Sequence, residues 1–285
     1  MRIPTALVAA LVSVGAVDIA GAEPITSASA SATWVENITR CPDPAAAHDA
    51  MVYDGTFEAR WRNQISRDVS LHFEANAGIE SCPRYDDLDR VLLGAQVAMQ
   101  RKFGLGPFAP LLRATLSYTG SSYREKWLNG TRLLAGLSWS KRWNDNWQTV
   151  LTAEYMSNNG RAHVYDYRNR GLSFEAHYDF TERWQLTAGL KRQWGEQMVY
   201  AWLGGSGASF PYDYDSWKNT TEVRTYGRDW YAYSMDAHAD SAWISISPAL
   251  GGNRSLPLRL EQTSVAGRVE RYKVRMISLS FVQRF

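Results

Sequence analysis

The sequence predicts an all-β chain of about twelve antiparallel strands that run up and down, with ten or fourteen strands also compatible. Apolar and polar residues alternate with a period of two along many segments, and aromatic-flanked tight turns alternate with longer polar loops. Beyond the amino terminus, no apolar run reaches the roughly 18 residues of a membrane helix. This pattern is typical of a transmembrane β-barrel. A soluble β-sandwich shares the alternation and is the alternative.

The amino terminus has the pattern of a secretory signal peptide. Met1–Arg2 is a short positive start, Thr5–Ile19 is mostly apolar, and Ala20-Gly21-Ala22 supplies small residues for cleavage. The apolar run is too short and too interrupted for a membrane helix. We therefore expect residues 1–22 to be a signal peptide and residues 23–285 to form one exported domain.

The composition argues against a nucleic-acid partner, because the net charge is only +2 and no basic block is present. Aromatic residues make up 13% of the chain, which suits the aromatic belts of a barrel and also a secreted sandwich. In an exported protein, the two cysteines, Cys41 and Cys82, predict one disulfide. The sequence has no metal-ligand spacing and no phosphate loop, so we expect no metal and no cofactor.

The amino-terminal part contains one weak and two clear strand patterns. Residues 23–33 are small and polar and predict a flexible start, while 31–40 alternates poorly. Asp54–Gln64 and Val69–Ala77 alternate cleanly. The two cysteines fall in proline-containing loops beyond these segments. If 31–40 is a strand, both loops lie at the same end of the structure, as a disulfide requires.

The middle of the chain repeats a unit of strand, tight turn and strand. Strands are expected over 89–103, 107–118, 131–143, 147–156, 170–180 and 184–194. The turns have aromatic residues on both sides, namely Phe103 and Phe108, Trp143 and Trp147, and Phe180 and Trp184. Aromatic side chains gather at membrane–water interfaces, so these turns are expected at one interface and the longer loops at the other.

The carboxyl-terminal third contains the longest irregular region, Met198–Asp240. A connection of this length is usually functional or mobile, and we expect it outside the cell, with a strand extension over 222–235. Strands follow over 241–248 and 256–265, and the last strand is Arg271–Phe285. The apolar face of the last strand carries Ile277, Leu279, Phe281 and Phe285.

A terminal strand that ends on phenylalanine after alternating apolar residues resembles the closing strand of bacterial outer-membrane β-barrels. The resemblance implies an outer-membrane location, short turns in the periplasm, surrounding lipid and a monomer. It also implies that Phe281 and Phe285 are read by the barrel-assembly machinery. Barrels of this class have an even strand number and periplasmic termini, so a count of twelve requires the weak strand at 31–40.

If the apolar faces meet lipid, the polar faces line a lumen that carries charges of both signs. The residues expected there are Arg60, Arg62, His72, Glu74, Gln96, Arg113, Glu154, Glu175, His177, Lys191, Arg259 and Glu261. We expect a small passive pore for hydrophilic solutes. The arginines and the analogy with twelve-stranded sugar-acid porins suggest anionic oligosaccharides. A non-conducting surface receptor or adhesin that uses its long loops is an alternative.

One segment suggests catalysis as a further alternative. The run YMSNNGR, which contains Ser157, with Asn169 twelve residues further on, resembles the outer-membrane phospholipase A family. In that family a histidine two residues before the serine activates it, and an asparagine orients the histidine. Here Tyr155 occupies the base position, and a phenol with a pKa of about 10 is a poor proton acceptor. The nearest histidine along the chain, His163, lies in a predicted loop.

Overall fold

The computed structural model describes residues 24–203, 218–268 and 270–285, which form one closed antiparallel sheet. The predicted signal peptide lies outside these residues. The strands are β1 (Ile25–Glu36), β2 (Ala50–Gln64), β3 (Val69–Ser81), β4 (Arg90–Lys102), β5 (Leu111–Tyr123), β6 (Gly130–Arg142), β7 (Trp147–Gly160), β8 (Tyr167–Thr181), β9 (Trp184–Trp202), β10 (Lys218–Val223), β11 (Trp230–Gly251), β12 (Arg254–Ser255), β13 (Leu258–Gly267) and β14 (Arg271–Arg284). Twelve of them form the barrel, while β10 and β12 are short additions that pair with β11. The predicted up-and-down barrel of twelve strands is confirmed.

β1 and β14 close the barrel. They pair antiparallel from Ser27–Arg284 to Glu36–Arg275, and the backbone N–H of Phe285 donates to the carbonyl oxygen of Thr26 (2.9 Å). A closed sheet has no unpaired edge, so its strands hydrogen-bond their backbones to one another. This is the condition under which strands can cross lipid.

The first strand begins earlier than the sequence suggested. The expectation of a flexible start over 23–33 and of a strand over 31–40 is wrong in its bounds, since β1 runs from Ile25 to Glu36. Most of β1 alternates serine and alanine, so its two faces differ little in hydropathy. Pairing with both β2 and β14, rather than the alternation itself, fixes this strand.

The outer face of the barrel is a band of exposed apolar side chains. Phe57, Leu93 and Leu190 are 40%, 58% and 62% exposed. Such a band is expected where lipid rather than water surrounds the strands. Phe281 and Phe285 of the closing strand also point outward; that the assembly machinery reads them stays a prediction. Within the described residues, no helix is long and apolar enough to span a membrane.

The aromatic residues beside the short turns form a belt at that end of the barrel. Trp147 and Tyr178 have ring centroids 4.7 Å apart, and those of Phe180 and Trp184 are 6.4 Å apart. Trp143, on the β6–β7 turn, is 57% exposed. The structure thus has the interface girdle that the sequence predicts, at the end of the barrel that carries the short turns.

β9 and β11 continue past the barrel rim as a hairpin, and β10 pairs there with the other edge of β11. β8 stops pairing with β9 at Asn169–Gly195, whereas β9 and β11 stay paired up to Trp202–Trp230. Gly195 has φ +136°, a conformation that favours glycine, and a side chain there would collide with the backbone of β8. The predicted loop is therefore wrong for 198–202, 218–221 and 236–240, which are strand. The expected strand extension over 222–235 is found in β10 and β11, with a turn over 224–229 between them, and residues 204–217 lie outside the described residues.

Candidate functional site: the lumen and its roof

The strand register places the predicted lumen residues on the inner face of the barrel. Arg60, Glu74 and Gln96 are cross-strand neighbours on β2, β3 and β4, on the face opposite the exposed Phe57 and Leu93. By the same alternation, the inner face also carries Arg62, His72, Arg113 and His177. A cavity of about 770 Å³ inside the barrel is lined in part by Glu154, Glu175, Lys191, Arg259 and Glu261.

The β2–β5 side of the lumen carries three arginines and a histidine, here called the basic wall: Arg60, Arg62, His72 and Arg113. The four side chains lie close enough to interact electrostatically. Arg60 is paired with Glu74 (2.9 Å). Among the described residues neither Arg62 nor Arg113 forms a salt bridge: Arg62 hydrogen-bonds Gln64, and Arg113 interacts only at longer range with Glu74. The wall therefore has an excess of positive charge that faces water.

The wall on the β7–β13 side has no such excess. Its cations and carboxylates lie in contact as Lys191 with Glu154 (2.5 Å) and Arg259 with Glu261 (2.6 Å). Nε2 of His177 lies 3.5 Å from a carboxylate oxygen of Glu175. Opposite charges in contact cancel most of each other's field at a distance. The lumen thus has one basic side and one neutral to acidic side, a division that no single strand pattern predicts.

Trp243 is a lumen residue that the sequence analysis missed. The register places it opposite Gly189 of β9, and its ring occupies the space that a side chain at Gly189 would need. The guanidinium carbon of Arg259 lies 4.8 Å from the indole centroid, a cation–π contact. The small residue on the neighbouring strand makes room for the ring, and that pairing is visible only in the sheet.

The mouth at the end opposite the short turns is covered by a buried cluster, here called the roof. It contains Cys41, Ala46, Ala50, Cys82, Tyr85, Val164, Tyr165, Tyr200, Val223, Tyr226, Trp230 and Ala232. These residues come from the connections β1–β2, β3–β4 and β7–β8 and from the β9–β11 hairpin, on different sides of the barrel. The cluster therefore spans the mouth. On the other face of the hairpin, Val199 and Tyr233 are fully buried against Val265 and Tyr272.

Aromatic and polar contacts join the parts of the roof. The hydroxyl of Tyr85 hydrogen-bonds Nδ1 of His48 (2.7 Å), and the His48 ring lies 5.2 Å from that of Trp230. Tyr226 contacts the rings of Tyr85 (5.0 Å) and Trp230 (5.4 Å). Burial, together with the charge of Arg84, lowers the pKa of His48 below the usual 6.5. The neutral imidazole is the form that fits the roof.

The predicted disulfide is not present in the structure. Cys41 and Cys82 lie in the same buried cluster, as their placement at one end of the barrel implied, but as free thiols. Hydrogen bonds within each loop fix the two backbones separately: the N–H of Cys41 donates to Oδ1 of Asn37 (2.9 Å) and that of Cys82 to Oδ1 of Asp89 (2.8 Å). A disulfide needs a specific Cα and Cβ geometry, which proximity alone does not supply.

The residues of the suggested hydrolase do not come together. Ser157 lies on the outer face of β7, as does Tyr155, which is 45% exposed. Nδ1 of His163 lies 3.0 Å from a carboxylate oxygen of Asp166, within its own loop. Asn169 is buried and lines the lumen instead. A serine without an adjacent base is a weak nucleophile, so this alternative has no geometric support.

Comparisons with known proteins agree with the fold. Neither known protein families nor curated protein sequences match this chain. Among solved structures, it is similar to the COG4313 outer membrane channel from Pseudomonas putida F1, with a TM-score of 0.59, 12% identity, and coverage of 92% of this chain and 96% of that one. The NanC porin gives a TM-score of 0.49 at 8% identity, with coverage of 90% and 98%.

The closed barrel, its outward apolar band and its aromatic girdle define the class of this protein. It is a closed twelve-stranded antiparallel β-barrel with an exterior suited to lipid, and it shares this fold with the COG4313 outer membrane channel. At 12% identity the likeness to the channel concerns the fold. What the lumen does must be argued from its own residues.

Proposed function

We propose that this protein is a passive outer-membrane pore for small water-soluble solutes, with a modest preference for anions. The observation that carries the proposal is the basic wall, where Arg62 and Arg113 face the lumen without carboxylate partners among the described residues. Unpaired buried charges are costly, so a lumen that served only as a packed core would be expected to pair them. A hydrated pore has no such requirement.

The charge pattern supports a preference of limited size. Low-dielectric walls focus the field of charged side chains and raise the local concentration of oppositely charged solutes. The carboxylates of Glu74, Glu154, Glu175 and Glu261 oppose this effect, and salt screens it. Anionic oligosaccharides are one solute class that such a lumen would accept. Passage also requires the roof to move, so the described conformation is the closed one.

Conductance of the refolded protein in a planar bilayer tests the proposal. We expect a water-filled channel whose reversal potential in a salt gradient indicates a modest anion preference. The double variant Arg60→Glu and Arg113→Glu should shift selectivity toward cations without abolishing conductance. Arg101→Glu is the matched control. Arg101 is exposed on the outer face of β4, and its partner on β5 is Leu112, the residue before Arg113, so the same charge change is made at a similar height but outside the lumen. A channel whose selectivity ignores the double substitution would show that the basic wall does not line the path.

The roof favours a second candidate function, a non-conducting surface receptor. Its loops cover the mouth and present a folded surface to the outside. A wild-type protein that never conducts, together with a roof variant that never conducts, would favour the receptor over the pore.

Three further expectations belong to the proposed pore: removal of the signal peptide before Glu23, recognition of Phe281 and Phe285 by the assembly machinery, and a monomeric state. Sequencing of the mature amino terminus checks the first. Deletion of Phe285 should lower the amount of heat-modifiable protein in outer membranes, because a barrel that fails to assemble is fully unfolded before boiling. Cross-linking in membranes checks the third.

A further inference from the structure

A tight turn at the start of the β1–β2 loop holds one arginine beneath the roof. Asn37 and Arg40 have φ values of 58° and 51°, in the left-handed region that residues other than glycine seldom adopt. Asn37 stabilises the turn through its side chain. Its Nδ2 donates to the carbonyl oxygens of Cys41 (3.0 Å) and Lys273 (3.1 Å), and its Oδ1 accepts from the hydroxyl of Thr39 (3.0 Å). Such strain is retained where the surroundings enforce it, often at functional sites.

The turn directs Arg40 into the lumen. Asn37 and Thr39 are buried, and Cys41 is part of the roof, whereas the side chain of Arg40 is accessible within the cavity of about 770 Å³ that it lines. Although protein surrounds it on all sides, the guanidinium is thus reachable from the lumen. Because the bond from Asn37 to Lys273 also ties the turn to β14, the position of Arg40 is fixed by the barrel rather than by a free loop.

Tyrosines rather than carboxylates surround Arg40. Its strongest electrostatic neighbours are Tyr272, Tyr200, Tyr167 and Tyr226. A guanidinium is not deprotonated in proteins, so Arg40 remains a cation although it is surrounded by protein. Within the described part of the chain, no carboxylate pairs with Arg40.

The carboxylates of the same cavity are already engaged. Each carboxylate that lines it has a partner: Asp54 with Ser31, Glu80 with Arg90, Glu154 with Lys191, Glu175 with His177, Glu196 with the backbone N–H of Arg168, and Glu261 with Arg259. Arg40 is thus a preorganised cation with free donors. A guanidinium offers parallel N–H groups that match a carboxylate in a bidentate pair.

An apolar patch lies on the lumen wall beside this arginine. Successive strands β14, β1 and β2 contribute its partly exposed members, which with Ile38 of the turn are Val274, Met276, Val35 and Val52. Val265 of β13 borders the patch but is buried against the hairpin. Tyr272, a neighbour of Arg40, is paired with Val265. In a lumen that is polar elsewhere, a contiguous apolar surface facing the cavity is a feature of ligand sites rather than of a water channel.

We propose that Arg40 and this apolar patch form a binding site for a small organic carboxylate with an apolar body, such as an aromatic or branched aliphatic acid. The guanidinium takes the carboxylate, and the valines, Ile38 and Met276 take the body. The site rests on the proposed pore function in that it names the solute class that the lumen selects. The cavity volume is within the roughly 300–1,000 Å³ of small-molecule sites.

Calorimetric titration of the mature protein in detergent tests the site with four probes. Benzoate has both the carboxylate and the ring, acetate only the carboxylate, benzyl alcohol only the ring, and glucuronate a carboxylate on a hydrophilic body. Benzoate should bind at least about tenfold more tightly than each of the others, because only benzoate can satisfy both halves of the site.

Two substitutions locate the site. Arg40→Gln should weaken benzoate at least about tenfold and leave benzyl alcohol unchanged, since one charge-assisted pair is lost. Val274→Asn should weaken benzoate by making the patch polar. Arg101→Gln is the matched control: it removes an exposed arginine of the outer face and should leave benzoate affinity unchanged. If Arg40→Gln fails to give a heat-modifiable barrel, Arg40→Lys replaces it, with an intermediate loss expected because the charge stays but the fork is lost.

Several results would overturn the site: no benzoate binding by the wild type, unchanged affinity in the Arg40 variants, equal loss in Arg101→Gln, or glucuronate binding as tightly as benzoate. Conductance in potassium chloride is measured separately. A conducting channel that ignores benzoate overturns the carboxylate site alone. A protein that never conducts, yet binds benzoate through Arg40, overturns the pore and keeps the site.

Discussion

The barrel wall and the roof are built by different rules, although β9 belongs to both. In the wall, β9 has an outward face that stays exposed, as at Leu190, which is 62% exposed. Past Gly195 both faces of the same strand are buried, with Val199 at 0% and Tyr200 at 4% exposure on opposite sides. Lipid covers one face of the wall, whereas other protein segments cover both faces of the hairpin. The choice of side chains in the wall thus depends on the medium that each face meets, whereas the roof is a packed core that depends on tertiary contacts.

Because wall and roof depend on different contacts, we expect that the roof can be opened without loss of the wall. The resulting rise in conductance is the largest change that we predict. Trp230→Ala removes a 3%-exposed side chain that joins His48 and Tyr226. Truncation of a buried tryptophan costs about 3–5 kcal/mol, enough to shift the closed roof toward open forms. Single-channel conductance should rise several-fold while the protein remains heat-modifiable.

Trp127→Ala is the control for this prediction, because Trp127 lies on the β5–β6 connection and is 63% exposed. It should leave conductance unchanged. If Trp230→Ala instead abolishes heat-modifiability, wall and roof fold as one unit and the distinction between them is lost.

A second substitution tests the wall alone. Gly189→Val would collide with the Trp243 ring, whereas Gly136→Val, also on the inner face, meets only ordinary contacts. Overpacking of this kind costs about 1–3 kcal/mol. The midpoint of unfolding in denaturant, followed by tryptophan fluorescence, should fall for Gly189→Val and change much less for Gly136→Val. Equal midpoints would mean that Trp243 moves aside at little cost.

The roof should also weaken at acidic pH. Burial and Arg84 lower the pKa of His48 below 6.5, against the opposing charge of Asp49. His48 is neutral in the folded roof, and its pKa there is lower than in the unfolded chain. It therefore stabilises the roof fully above about pH 6.5, and this stabilisation is lost as the pH falls through the folded-state pKa. Conductance should therefore rise as the pH is lowered from about 7.5 to 5. His48→Gln should flatten this dependence, and a rise that persists in the variant would assign it to another group.

The smallest effect concerns the thiols of the roof. Burial raises the pKa of both Cys41 and Cys82, and the thiolate is the reactive form. Alkylation of the native protein by iodoacetamide should be slow at neutral pH and faster in Trp230→Ala, as read by mass spectrometry. Rapid labelling of the wild type would show that the roof is open for much of the time. A mass lower by two hydrogens would show a disulfide between Cys41 and Cys82, which the structure does not contain.

The sequence by itself determined the wall. Alternation with a period of two decides which side chains face lipid, so the strand number, the girdle and the inner position of Arg60 or Glu154 could be predicted from local patterns. The bounds of β1 could not be predicted in this way, because serine and alanine differ too little in hydropathy. Pairing with β2 and β14 determines where β1 begins and ends. Only the tertiary structure decided that Trp243 fits over Gly189, that the loops converge into a roof, and that Asn37 aims Arg40 into the lumen. Those features depend on contacts between segments far apart in the chain, which leave no periodic trace in any one of them.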